Sequence, residues 1–119
     1  MSFEELYALM ELDRRRSPWS QQNTFMQRFE ELQSEVQEIK EALVKQDYDN
    51  LKDEIGDALL DIMFLIVMAK EKGLFTKEDV VTNTLAKINR RKPWLHTDEV
   101  LSIDEEKRRW QEAKRKERE

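Results

Sequence analysis

Four acidic residues fall into two pairs of identical spacing, Glu35 with Glu38 and Glu54 with Asp57. On a helix, residues three apart lie about 60° apart in projection, so each pair can converge on one point. Two helices joined by a short connection and packed antiparallel would bring the pairs together. Four carboxylates at close range repel and raise one another's pKa. A hard divalent cation with a preference for oxygen, Mg²⁺ or Mn²⁺, removes that conflict. The competing reading is plain solvation, since Asp and Glu supply 26 of the 119 residues and Glu-x-x-Glu arises easily in such a chain. Nor does the Glu35/Glu38 face coincide with the apolar stripe of its own segment. Asp57 weighs on the metal side, because it leads directly into an apolar run where an unpaired charge is costly. Asp61 falls one turn later, inside that run, and calls for a shared metal or a cationic partner. Residue types alone leave both readings open. A di-iron carboxylate bundle is disfavoured, since such sites carry Glu-x-x-His pairs and the one histidine, His96, lies outside the acid-bearing segments.

The elements that must position these acids are helices. Only two Gly and two Pro interrupt a chain rich in Leu, Glu, Lys and Arg, which predicts an all-α helical bundle with short connections. A first helix is expected over residues 3–14, ending before Ser17-Pro18. Ser20 is a candidate N-cap for a long second helix, on which Phe25, Phe29, Leu32, Val36, Ile39 and Leu43 form a packing stripe. Asp47 to Asn50 break the pattern and cap a third helix over about 51–72, with Gly73 in place to end it. Thr76 and Asp79 suggest the start of a fourth helix, with Val81, Leu85 and Ile88 facing inward and Pro93 beyond its end. Ser102 and Glu105 have the capping-box spacing and open a charged last helix. Within the third helix, residues 58–69 are apolar nearly all round, which predicts burial on most sides. A bundle of this size rarely surrounds one helix alone, so a second subunit is expected to cover part of it. Gly56 lowers helix propensity and suggests close packing or a metal-side need for space.

Length and charge narrow the function. A chain of 119 residues is one domain's worth, and 1–119 is read as a single domain. The net charge of −5 argues against a nucleic-acid partner, which rests on a basic surface. The run 58–69 is too short to span a bilayer, and no signal-peptide core is evident, so no membrane partner and a cytoplasmic location are expected. With no cysteine, thiolate metal sites and thiol nucleophiles are excluded.

The ordered set of motifs resembles the MazG family of all-α nucleoside triphosphate pyrophosphohydrolases. Ser17-Pro18-Trp19 followed by Asn23-Thr24-Phe25 looks like the family's Cys-Pro-Trp-Asp … Gln-Thr-Phe opening. Glu35-x-x-Glu38 and Glu54-Ile-Gly-Asp57 match its Glu-x-x-Glu … Glu-Leu-Gly-Asp metal motif in type and spacing. Lys87-Ile-Asn-Arg90-Arg91-Lys92-Pro93 is similar to its Lys-x-x-Arg-Arg-His-Pro segment, and Trp110 falls where the family places a tryptophan on its last helix. The likeness runs from about Leu12 to Lys114. It implies a four-helix catalytic core completed by dimerisation, and hydrolysis of an NTP or dNTP to the monophosphate and pyrophosphate in nucleotide-pool house-cleaning. It further implies that Glu35, Glu38, Glu54 and Asp57 hold Mg²⁺, with Mn²⁺ able to substitute. Glu38 is the candidate for taking the proton of the attacking water. Lys87 and Arg91, with Arg90 as a helper, would contact the phosphates, and Trp110 would pack against the base.

Several of these residues have plainer readings. Lys87 and Arg91 fit an exposed basic stripe, Trp110 an anchor for the last helix, Trp19 a structural plug, and His96 a surface loop. The sequence also departs from the family: Ser20 stands for the usual Asp, Asn23 for Gln, Trp94 for a common His, and Asp61 is an acid where a neutral residue is usual, an extra metal ligand or a support to the site. A related dUTP/dCTP-type or phosphoribosyl-ATP pyrophosphatase would keep the chemistry and change the substrate, but the Pro-Trp opening and the Lys-x-x-Arg-Arg segment favour MazG. A catalytically silent helical interaction module would keep the bundle; the intact acidic set argues against it.

Overall fold

The computed structural model describes residues 1–119 and contains helices and no strand. The helices are α1 (Phe3–Arg16), α2 (Pro18–Gln22), α3 (Phe25–Lys45), α4 (Tyr48–Glu71), α5 (Lys77–Arg91) and α6 (Ile103–Glu117), with a 3₁₀ turn at Pro93–His96. The chain divides into two compact units, residues 1–77 and 78–119. No helix is long and apolar enough to cross a membrane.

In the first unit the boundaries follow local chemistry. Ser2 caps α1, and Ser17 caps the short α2, whose first residue is Pro18, the position where a missing N–H costs nothing. The long helix starts later than Ser20 suggests. Thr24 is its N-cap, with its hydroxyl accepting from the Gln27 N–H while the Gln27 side chain accepts from the Thr24 N–H. Ser20 is instead buried inside α2. The link from α3 to α4 is a tight one: Gln46 takes a left-handed conformation at φ 56, and Asp47 caps α4 through the Asn50 N–H. Gly73, at φ 71, ends α4 where a side chain would be strained.

The core lies along α4. Tyr7 of α1 packs with Met63 and Val67, flanked by Leu6, Met10, Leu59 and Ile66, while α3 packs against α4 as the other arm of a hairpin. Ala58, Phe64, Met68 and Ala69 are also buried. The expected burial of α4 is therefore largely present, but Ile55 and Ile62 remain open, at 51% and 44% exposure. The α3 stripe is less buried than its periodicity suggests: Phe29, Val36 and Leu43 are exposed, and the one buried residue of α3 is Ala42. Each helix thus keeps a row of apolar residues, seven apart, in the open.

In the second unit, α5 has no buried residue, and Val81, Leu85 and Ile88 are exposed rather than inward. Trp94 in the 3₁₀ turn is buried. Ser102 caps α6 by accepting from the Glu105 N–H, but the Glu105 carboxylate turns to Arg108 and Arg109 instead of completing the box.

A carboxylate cluster and an adjoining cleft

The α3–α4 hairpin brings together Glu35, Glu38 and Glu54, each half-buried, with one oxygen of each lying within 4.8 Å of the others. Oε2 of Glu35 and Oε2 of Glu54 are buried and have no hydrogen-bond donor. Buried carboxylate oxygens without a donor are costly, and here two face a third acid. Glu35 responds by holding its proton: its pKa is pushed up to about 8, first by the Glu54 carboxyl, with which it can share the proton, then by burial and by Glu38. Three oxygen-only ligands clustered on facing turns of α3 and α4, two of them with a buried oxygen that lacks a donor, fit a hard divalent cation and suit no soft or nitrogen-seeking metal.

Asp57 is not one of these three. It is exposed, so the expectation that it meets the apolar interior does not hold; Ala58, its neighbour, is the residue that turns inward. The acid that enters the interior is Asp61. Moving seven residues forward along α4 from Glu54 reaches Asp61, and moving seven back along α3 from Glu35 reaches Arg28. These two also face each other, with Arg28 Nη1 donating to Asp61 Oδ1 at 3.0 Å. Of the two partners Asp61 called for, the structure supplies the cation. Burial pushes the Asp61 carboxyl above its usual range, while Arg28 draws it back down. The guanidinium carbon of Arg28 also sits 4.1 Å from the centre of the Phe64 ring. Arg28 escaped the sequence reading because its role shows only when the hairpin register is known; the signal was Asp61, an acid inside an apolar run.

Arg28 lines an open cleft of about 410 Å³ in the first unit, together with Trp19, Ser20, Asn23, Glu31 and Phe64. Trp19 is not a plug: it is 82% exposed. What holds α2 in place is Arg14, which donates to the Ser20 carbonyl through Nη1 and to Glu71 through Nε at 2.9 Å. Gly56 shows no close packing either, since a Cβ there would meet nothing within 4 Å.

The basic residues belong to the second unit. Arg90 and Arg91 both donate to Glu117, whose carboxyl is held below its usual range, chiefly by Arg91. Lys87 is half-buried on the same helix. Trp110 is half-buried, with the Arg91 guanidinium 4.9 Å and the Lys92 ammonium 5.6 Å from its ring centre, so its π face holds the cations of this segment. His96 is exposed and pairs with Asn89 Oδ1 at 2.7 Å. A larger cleft of about 770 Å³ lies among Arg90, Arg91, Trp94 and Arg109. Its arginines are engaged by Glu117, Glu105 and Glu99, so it is an ion-paired surface with little free charge.

The family model described as the MazG nucleotide pyrophosphohydrolase domain matches residues 23–96, a span that holds all four acids and the Lys87–Arg91 segment. A nucleoside triphosphate pyrophosphohydrolase of Escherichia coli K12 is 31% identical over 102 residues, covering 85% of this chain and 39% of that protein. A nucleoside triphosphate pyrophosphohydrolase/pyrophosphatase MazG of Thermotoga maritima is 37% identical over 100 residues, covering 81% of this chain and 38% of that protein. The chain therefore spans about two fifths of the length of these curated relatives. A crystal structure of a mazG-related protein from Thermotoga maritima superposes with a TM-score of 0.89 at 33% identity, over 94% of this chain and 98% of that one. With its sequence matched across the acid-bearing hairpin and its helices superposed nearly end to end, the chain belongs to the MazG nucleotide pyrophosphohydrolase family.

Proposed function

We propose that the chain hydrolyses nucleoside triphosphates, NTPs or dNTPs, to the monophosphate and pyrophosphate in a Mg²⁺-dependent reaction that Mn²⁺ also supports. The observation that carries this is the cluster of Glu35, Glu38 and Glu54, with two buried oxygens left without donors. The names of the relatives support the reaction class. Glu35, Glu38, Glu54 and Asp57 would hold the cation. When bound, it would supply Lewis-acid polarisation of the α-phosphate and acidify a water. Attack of a water would form a new oxygen–phosphorus bond at the α-phosphorus as the bridging bond to the β-phosphate breaks. Glu38 takes the water's proton. Lys87 and Arg91, helped by Arg90, balance the negative charge gathering on the leaving pyrophosphate, and Trp110 packs on the face of the base. In this reading the 119 residues act as one functional domain in the cytoplasm. A homodimer is the assembly proposed, supported by the open rows Phe29, Val36, Leu43 and Ile55, Ile62.

The test is a panel of NTPs and dNTPs with Mg²⁺ in ¹⁸O-labelled water, followed by ³¹P NMR and mass spectrometry. Label should enter the monophosphate and not the pyrophosphate. Release of pyrophosphate that is unchanged in Glu54→Ala, or absent for every nucleotide in the wild type, defeats the reading.

A further inference from the structure

We propose that Arg28, locked in place by Asp61, is the specificity-determining residue of a base-binding cleft under Trp19, and that it selects bases presenting a carbonyl oxygen beside a ring-nitrogen lone pair, as guanine and cytosine do and adenine does not. The inference rests on the pyrophosphohydrolase reading, whose substrate class it narrows.

Stability does not explain the pair. The Arg28 and Asp61 side chains are only 15% and 9% exposed, and an ion pair that deeply desolvated gains little over two apolar residues of similar size. The facing positions of a helix hairpin are where such apolar residues would ordinarily stand. What the pair achieves is orientation. Asp61 takes one Nη of the guanidinium, and the Phe64 ring fixes its plane from one side at 4.1 Å. Nε is left buried without an acceptor, and the group lines the cleft. The donors left for a ligand in the cleft are Nη2, which makes no hydrogen bond, and the second hydrogen of Nη1, a fork that the Asp61 and Phe64 contacts hold in one orientation.

The cleft suits a base in its walls and its distance. Trp19 offers an exposed indole face, Asn23 and Ser20 offer polar contacts, and Ser20 Oγ is buried with no partner of its own. Glu35 lies seven residues along α3 from Arg28, which at the helical rise is about 10 Å. That separation is on the scale of a nucleoside measured from base edge to α-phosphate, so a base in the cleft would place its phosphate toward the carboxylates. An arginine fork matches two adjacent acceptors, such as O6 and N7 of guanine or O2 and N3 of cytosine. On adenine the exocyclic amino group stands beside N1 and N7, so one donor would meet another donor. The contact reads the hydrogen-bonding edge of the base.

The experiment measures kcat/KM for dGTP, dCTP, dATP and dTTP with the full chain and Mg²⁺, beside tryptophan-fluorescence binding of dGMP, dCMP and dAMP with metal absent. The wild type should favour guanine or cytosine over adenine by about tenfold to a hundredfold, and the better of the two identifies the base served. Arg28→Lys keeps a charge opposite Asp61, and so the fold, but lacks the fork. It should bring the four substrates within about threefold of one another, by loss on the preferred ones, with Tm unchanged. Trp19→Ala should weaken all bases alike. An adenine preference in the wild type, or an Arg28→Lys variant whose base ratios match the wild type, overturns the proposal. If no triphosphate is hydrolysed, the pyrophosphohydrolase reading fails by itself, and the monophosphate binding ratios still decide the role of Arg28.

Discussion

The proton on Glu35 gives the sharpest test of the carboxylate cluster as a metal site. With its pKa at about 8, Glu35 is about 99% protonated at pH 6. A cation that uses this oxygen must displace the proton, so the apparent affinity should weaken about tenfold for each pH unit well below 8. Between pH 8, where half the protein is already ionised at Glu35, and pH 6, the expected loss is about fiftyfold. Calorimetric titration with Mn²⁺ or Mg²⁺ in buffers of different ionisation enthalpy counts the protons directly. It should find close to one released per ion at pH 6, about half at pH 8 and almost none at pH 9.5. Glu54→Gln removes the first cause of the shift, so the variant should bind more weakly at pH 9 yet show a flatter pH dependence. An affinity that stays constant from pH 6 to 8 with no proton release would refute the argument that these oxygens are the ligands.

The same proton predicts how stability responds to pH. Glu35 has a folded pKa above its ordinary value of 4.5, so its contribution is fully present below about pH 4.5 and is lost as pH rises through about 8. In chelator, Tm should fall over that interval, and added Mg²⁺ should recover more of it at pH 8 than at pH 5.

Three further outcomes bear on the frame around the site. Thr24→Ala removes the side-chain half of the capping box at the start of α3 and should cost about 1 kcal/mol in urea unfolding; no change would mean that Gln27 alone secures this end. Gly56→Ala puts a methyl group where nothing lies within 4 Å and should stabilise α4 by roughly 0.5–1 kcal/mol; a lower Tm would show that another surface closes over Gly56 in solution. Val36→Asp, on a residue 56% exposed within one chain, should leave the helix content intact and convert a dimer to a monomer by sedimentation, whereas an unchanged assembly would put the interface elsewhere.

How far the sequence could be read depended on the range of the interaction. Local chemistry was legible: Ser17-Pro18, Asp47, Gly73, Pro93 and Ser102 each mark a boundary because a cap, a turn or a missing N–H is decided by the few residues around it. Even the misplaced start of the long helix was recoverable, since Thr24 and Gln27 have the capping-box spacing and Ser20 has none. Burial was harder to read. Periodicity says that a helix has an apolar face and is silent on what covers it, so Val81, Leu85 and Ile88 recur as core residues should and yet lie open. The same limit misjudged Asp57. Asp57 and Asp61 are four residues apart and share a helix face, but one is exposed and the other buried, because depth is set by position along the hairpin and not by the face alone. Once the turn at Gln46 fixes the register, the facing partners follow: the step that sets Glu35 beside Glu54 also sets Arg28 opposite Asp61. A charge inside an apolar run is thus a question addressed to the other helix. Here the answering arginine lies two turns from the carboxylates, close enough to serve the same substrate and too deep in the hairpin to be an ordinary surface charge.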